Sequence, residues 1–242
     1  MSQQKISIII PAYNESATIQ AVLARVEAAN TYDLEKEIIV VDDGSKDNTV
    51  EKVRSYGRGI KLIVQSPNQG KGAALIAGFK ASTGDIVLIQ DADLEYNPID
   101  YPHLLAPIVE GVADVVYGSR FTSPEPKRVL YFHHYLANRF ITFVSNVFTN
   151  LNLTDIETGY KAFTREVIDV ITPQLSSPRF GIEVEMTARI AQGRWRVFEI
   201  GISYSGRTYK EGKKINWQDG VAALWHIVHF NLVQPPRPPK KN

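Results

Sequence analysis

The first half of the chain alternates short β-branched runs with stretches of helical periodicity, and this rhythm restricts the fold more than any other feature. Lys5 to Ile10, Glu37 to Val41, Ile60 to Gln65, Asp85 to Gln90 and Asp114 to Gly118 read as strands, with helices at about 16–29, 47–56, 70–82 and 100–110 between them. Strands joined through helices need crossover connections, so the pattern predicts an α/β fold with a mostly parallel sheet flanked by helices. Ligands bind such sheets in a crevice at the carboxyl ends of the strands. Four polar segments fall at those ends: Pro11-Ala-Tyr-Asn-Glu15, Asp42-Asp-Gly-Ser45, Gln69-Gly-Lys-Gly72 and Asp91-Ala-Asp93. The fold would gather them at one site.

The last of these carries the most chemistry. Residues i and i+2 of an extended segment point to the same side, so Asp91 and Asp93 are expected to aim at one ion, with Glu95 as a third ligand two positions on. Carboxylate oxygens select Mg²⁺ or Mn²⁺, and such an ion binds through one or two carboxylates plus substrate phosphates. That suits a nucleotide diphosphate better than a structural metal site.

The 242 residues are expected to form one elaborated domain, 1–233, with a nucleotide-binding half over 1–120 and an acceptor-binding half over 121–233. The Pro- and Lys-rich segment 234–242 is expected to be a disordered tail. With 27 basic against 26 acidic residues there is no global pull toward nucleic acid, and zero cysteines exclude disulfides and a cysteine nucleophile. Met1 to Lys5 leads into a short strand with no apolar leader, so a cytoplasmic location is expected. No stretch reaches the roughly 18 to 20 apolar residues of a spanning helix, so any membrane contact is expected to be peripheral.

The second half is more helical. Apolar residues at 132, 136, 140, 143, 147 and 151 describe an amphipathic helix over Val129 to Leu151, rich in aromatics, that suits either core packing or an in-plane position at a membrane. Helices near 164–172, 182–192 and 217–232 and a strand at Val197 to Tyr204 complete the pattern.

Pro11-Ala-Tyr-Asn-Glu15, Val41-Asp-Asp-Gly-Ser45, Gly84-Asp-Ile-Val, Asp91-Ala-Asp-Leu and Gly118-Ser-Arg120 follow one another in an order that resembles glycosyltransferase family 2, whose members share the nucleotide-sugar-binding fold called GT-A. Thr158-Gly-Tyr-Lys-Ala-Phe163, Ile182-Glu-Val-Glu185 and Ser205-Gly-Arg-Thr-Tyr-Lys-Glu-Gly-Lys213 are similar to later motifs of its dolichyl-phosphate mannose synthase and polyprenyl-phosphate glycosyltransferase branch. The resemblance covers about residues 5 to 218. It implies a GDP- or UDP-sugar donor whose nucleotide meets Pro11, Ala12, Tyr13, Glu15, Asp42, Asp43, Lys71 and Asp91. It places the metal on Asp91 and Asp93, with Glu95 standing where the branch commonly carries Gln, and makes Asp91, Asp93 and Arg120 the catalytic group.

The implied reaction is inverting transfer of a hexose to a polyprenyl phosphate. A phosphate acceptor is largely ionised at neutral pH and needs cations rather than a base, and the resemblance assigns Arg120, Arg139 and Arg207 to it, with Lys213 beside them. Two alternatives stand next to this reading. A saccharide or other hydroxyl acceptor would need a carboxylate base, for which Asp155 and Glu157 are candidates; a non-catalytic protein would bind the nucleotide sugar without turnover.

Overall fold

A computed structural model describes residues 4–57, 59–122, 128–129, 131–206 and 217–233, the last segment in backbone only over 217–219. The strands are β1 (Lys5–Ala12), β2 (Glu35–Asp42), β3 (Ile60–Val64), β4 (Ile86–Ile89), β5 (Val115–Ser119), β6 (Lys161–Thr164) and β7 (Val197–Gly201). They form one sheet in the order β3-β2-β1-β4-β6-β5-β7. All run parallel except β6, which lies antiparallel between β4 and β5 with Ala162 opposite both Leu88 and Val116. The strand rhythm predicted five of these strands in the first half, and β7 closely, but not β6. Four residues with a lysine at their head carry too little alternation to be seen, and their pairing is made entirely by distant strands.

Helices α1 (Ile19–Ala28), α2 (Thr49–Tyr56), α3 (Lys71–Ala81), α4 (Tyr101–Val109), α5 (Phe132–Thr149), α6 (Arg165–Ile171), α7 (Gly181–Gly193) and α8 (Trp217–Val228) cover the sheet. A five-residue π-helical turn, His229–Val233, continues α8. Both faces of the sheet are buried, which explains why β1, β2 and β4 read as near-continuous apolar runs. Ile6, Ile8 and Ile10 pack with α1, α2 and α4 on one side, while Ile9, Ile39, Val41, Val87 and Ile89 pack with α3 and with helices α5 to α8 on the other.

The α5 stripe points the unexpected way for a packed helix. Phe132, Leu136, Phe140, Phe143 and Val147 are exposed, Phe132 at 74% and Phe143 at 64%, whereas Ile141, Thr142 and Ser145 form the buried face. Neighbouring α8 likewise exposes Val221 and Trp225 while burying Ala223 and Ile227. Among the described residues no helix is long and apolar enough to cross a membrane.

Candidate active site at the carboxyl ends of the strands

Pro11 and Ala12 are the last residues of β1, paired with Val41 and Asp42 at the end of β2. The two loops beyond are laced together: Asn14 N–H donates to Ser45 Oγ (2.9 Å), Lys46 N–H to Asn14 Oδ1 (2.8 Å) and Glu15 N–H to Thr49 Oγ1 (2.9 Å). Tyr13 is half-buried and Glu15 buried against this seam. Asp42 is fully buried; its Oδ2 accepts from Ser45 N–H at 2.9 Å, and its Oδ1 has no hydrogen-bond partner among the described residues. A buried acceptor without a donor is costly unless a ligand supplies one, which fits a nucleotide hydroxyl or base N–H. Asp43 does a different job. Asn68 Nδ2 (2.7 Å), Gln69 N–H (2.8 Å) and Gly70 N–H (2.6 Å) all donate to its carboxylate, so it holds the turn into α3 rather than facing a ligand. At Gly70, φ is +104°, and a Cβ there would stand 2.5 Å from Pro178 O, so only glycine fits.

That turn delivers Lys71, the first residue of α3, to Asp91 just past β4. Lys71 Nζ lies 2.8 Å from Asp91 Oδ1, 3.1 Å from Asp91 Oδ2 and 3.1 Å from Glu183 Oε1 of α7. Burial pulls its proton affinity down, but Asp91 and then Glu183 outweigh this and hold the ammonium above its ordinary value. The other oxygen of Glu183 pairs with Lys161 Nζ at 2.5 Å, and Lys161 also donates to Thr158 O and lies over the Tyr117 ring. Lys161 heads β6. Because β6 runs antiparallel, its amino end arrives where the parallel strands have their carboxyl ends.

The strand-like geometry expected around Asp91 is not what forms. The chain leaves β4 after Ile89, Ala92 and Asp93 make a turn, and Leu94 is left-handed at φ +63°. Asp93 Oδ1 accepts from Glu95 N–H at 3.1 Å. The Glu95 carboxylate accepts from Tyr204 OH at 2.6 Å, and among the described residues no three His, Cys, Asp or Glu side chains converge as a metal site. The three expected carboxylates therefore do not converge as one set in this structure. Two hard oxygen donors beside a diphosphate remain a suitable Mg²⁺ or Mn²⁺ site.

Arg120, just past β5, is engaged by Asp155: Nε to Oδ2 and Nη2 to Oδ1 are both 2.7 Å, and the Arg120 N–H adds a bond to Oδ2 at 3.1 Å. The guanidinium lies over the Tyr204 ring, 5.3 Å from its centroid. Asp155 is fully buried, with both oxygens engaged by Arg120. Tyr96 ties the two charged groups together. It stacks on Tyr160 with centroids 4.6 Å apart, contacts Tyr204, and its hydroxyl accepts from Gly159 N–H at 2.8 Å. Of the other expected phosphate cations, Arg139 is exposed on α5, and Arg207 and Lys213 lie outside the described residues.

Gly159 abuts the aspartate so closely that a Cβ would stand 2.3 Å from Asp91 Oδ2 and 3.1 Å from the Tyr96 ring. Gly159→Ala must therefore move Asp91. Since small misplacements of reacting groups cost about 10²-fold in rate, the variant is expected to lose about that much kcat while melting as a folded protein, checked by steady-state kinetics beside a thermal melt.

Glu183, Lys161, Tyr96 and Tyr204 had no assigned role in the sequence. The available signal was charge inside apolar runs: Lys161 and Glu183 both sit within segments that otherwise read as core.

The family profile described as Glycosyl transferase family 2 matches residues 7–172. Curated relatives include a dolichol-phosphate mannosyltransferase of Pyrococcus furiosus, 28% identical, with the match covering 87% of this chain and 60% of that protein. A UDP-N-acetylglucosamine-dolichyl-phosphate N-acetylglucosaminyltransferase of Methanococcus voltae is 26% identical, over 96% of this chain and 98% of that one. An undecaprenyl-phosphate 4-deoxy-4-formamido-L-arabinose transferase of Aeromonas hydrophila is 30% identical, over 86% and 62%. The chain thus spans less than two thirds of the length of the first and third of these. Among solved structures, glucosyl-3-phosphoglycerate synthase from Mycobacterium tuberculosis, in complex with Mn²⁺, UDP and glucosyl-3-phosphoglycerate, superposes with a TM-score of 0.70 at 21% identity, covering 93% of this chain and 77% of that one.

Proposed function

Because this chain belongs to glycosyl transferase family 2 and has the GT-A fold, we propose that it transfers a hexose, with inversion, from a nucleotide diphosphate sugar to a polyprenyl phosphate at a membrane surface. The observation that carries the lipid acceptor is α5, whose aromatic stripe faces outward instead of into the core. An exposed apolar helix face of this kind suits an interfacial position, where it would bring the acceptor's headgroup beside the strand-end crevice. The three relatives named above, all dolichyl- or undecaprenyl-phosphate transferases by name, support the same acceptor class.

In this reading the seam between the first two strand-end loops receives the nucleotide, with the orphaned Asp42 Oδ1 accepting from it. Asp91 and Asp93 would hold Mg²⁺ or Mn²⁺, which neutralises charge on the departing diphosphate when bound. Lys71, poised on Asp91, adds a second positive charge on the same side. Arg120, fixed by Asp155 and backed by Tyr204, orients the acceptor phosphate, an anion that attacks without a base. A hydroxyl acceptor is the second reading, and one observation favours it: Glu157 has a buried oxygen with no partner, and its proton affinity is pushed up to about 7 by burial and by Glu183, the range of a general base.

Radiolabelled UDP- and GDP-sugars, offered with Mn²⁺ to the protein on vesicles containing polyprenyl phosphate and, separately, with soluble saccharides, test the proposal. Label extracted into organic solvent is the expected result. Label found only on the saccharides would replace the lipid reading with the hydroxyl one, and donor binding without any transfer would leave a non-catalytic binder.

A further inference from the structure

The charged groups around the site do not pair evenly. Three cations come from three elements, Lys71 of α3, Lys161 of β6 and Arg120 beyond β5, and each has its carboxylate: Asp91, Glu183 and Asp155 respectively. Glu157, on the loop between Asp155 and Gly159, is a fourth carboxyl with no ion pair among the described residues. It is half-buried, and its Oε1 is shut from solvent without a hydrogen-bond partner among the described residues. The charges that act on it most are Glu183 of α7, Arg120, Lys161 and Asp155, with Glu199 of β7 held against the same loop, so the two cations are already matched by acids. A fourth negative charge in this enclosure would be uncompensated, whereas a neutral carboxyl is tolerated.

We infer that Glu157 is a specificity-determining residue whose carboxyl, in its protonated form, hydrogen-bonds a hydroxyl of the transferred hexose. The inference rests on the donor proposed above and not on the acceptor. A protonated carboxyl has one donor and spare acceptor capacity, the complement of a sugar hydroxyl, which both gives and takes a hydrogen bond. In that form it also adds no repulsion toward the donor's diphosphate. Its loop runs through the site: two residues on, Gly159 abuts Asp91, and two residues back, Asp155 holds Arg120.

The test compares wild type, Glu157→Ala and Glu157→Gln by equilibrium binding of UDP-glucose and GDP-mannose, each against its free nucleotide diphosphate, with no acceptor present. Glu157→Ala is expected to weaken binding of the sugar nucleotide about 10-fold or more while leaving the free diphosphate unchanged, and Glu157→Gln, which keeps a neutral hydrogen-bond donor, is expected to restore most of the loss. Equal weakening of both ligands by Glu157→Ala, or a glutamine variant as impaired as the alanine one, would overturn the inference, the latter by showing that an ionised carboxylate is needed. Failure of transfer to polyprenyl phosphate would leave these binding results standing, so the two proposals fail separately.

A second readout bears on the proton. The folded protein holds it to about pH 7 against an ordinary value of 4.5, so the folded state binds more protons in between. The contribution to stability is complete below 4.5 and is lost as pH rises through 7. Wild type should therefore lose thermal stability between pH 5 and pH 8 relative to Glu157→Gln. Parallel pH profiles of the two proteins would show that Glu157 ionises normally and would refute the protonated role.

Discussion

Asp155→Ala is expected to destabilise the protein by about 3–5 kcal/mol, the usual consequence of removing one partner from a buried ion pair. Arg120 would keep its charge, since guanidinium does not deprotonate, and would lose two side-chain bonds of 2.7 Å together with the anchor of its own backbone N–H. What remains around it is the Tyr204 and Phe121 rings. Cation–π contact is worth about 0.5–2 kcal/mol and cannot replace a bidentate carboxylate. Denaturant unfolding measures the effect. Asp155→Asn, which keeps the shape and one acceptor, should fall between the alanine variant and wild type. An alanine variant within 1 kcal/mol of wild type, as an order-of-magnitude limit for an exposed pair, would show that solvent reaches the guanidinium and that Arg120 is not held for an acceptor.

Asp91→Ala is expected to reduce transfer by about 10³-fold or more, the scale seen when a group that stabilises developing charge is removed. The fold should survive, because Lys71 retains Glu183 at 3.1 Å and Glu183 retains Lys161. Mn²⁺ titration with UDP present, read by calorimetry, separates the metal from the chemistry: binding should weaken with the activity. Unchanged Mn²⁺ affinity together with activity within about tenfold of wild type would remove Asp91 from the metal site and from catalysis alike.

The two variants probe parts of the site with different visibility in the sequence. Asp91 stood out because two aspartates directly follow an apolar run, and the strand that presents them is defined by its own side chains. Asp155 is visible in the sequence only as one of two candidate carboxylates for a hydroxyl acceptor, and nothing there shows that it is the counter-ion of Arg120. The partnership joins residues 35 positions apart and depends on Ser119, Arg120 and Thr154 meeting beyond β5. Glu95 shows the reverse failure. Its spacing from Asp93 fits a ligand on an extended chain, but the left-handed Leu94 turns the chain and Tyr204, more than a hundred residues away, takes the carboxylate.

The amino-acid sequence by itself determined the strands and helices of the first half, their parallel sense and the crevice at their carboxyl ends, because hydrophobic periodicity and crossover connections are local properties. It also located α5 and the width of its apolar stripe. Only the tertiary structure decided that this stripe faces solvent, that β6 enters the sheet antiparallel between β4 and β5, and that Lys71, Lys161 and Arg120 pair with acids from distant segments while Glu157 pairs with no cation among the described residues. Those outcomes depend on which distant segments share a site, and the energy of burying a charge is set by that neighbourhood rather than by the residues on either side in the chain.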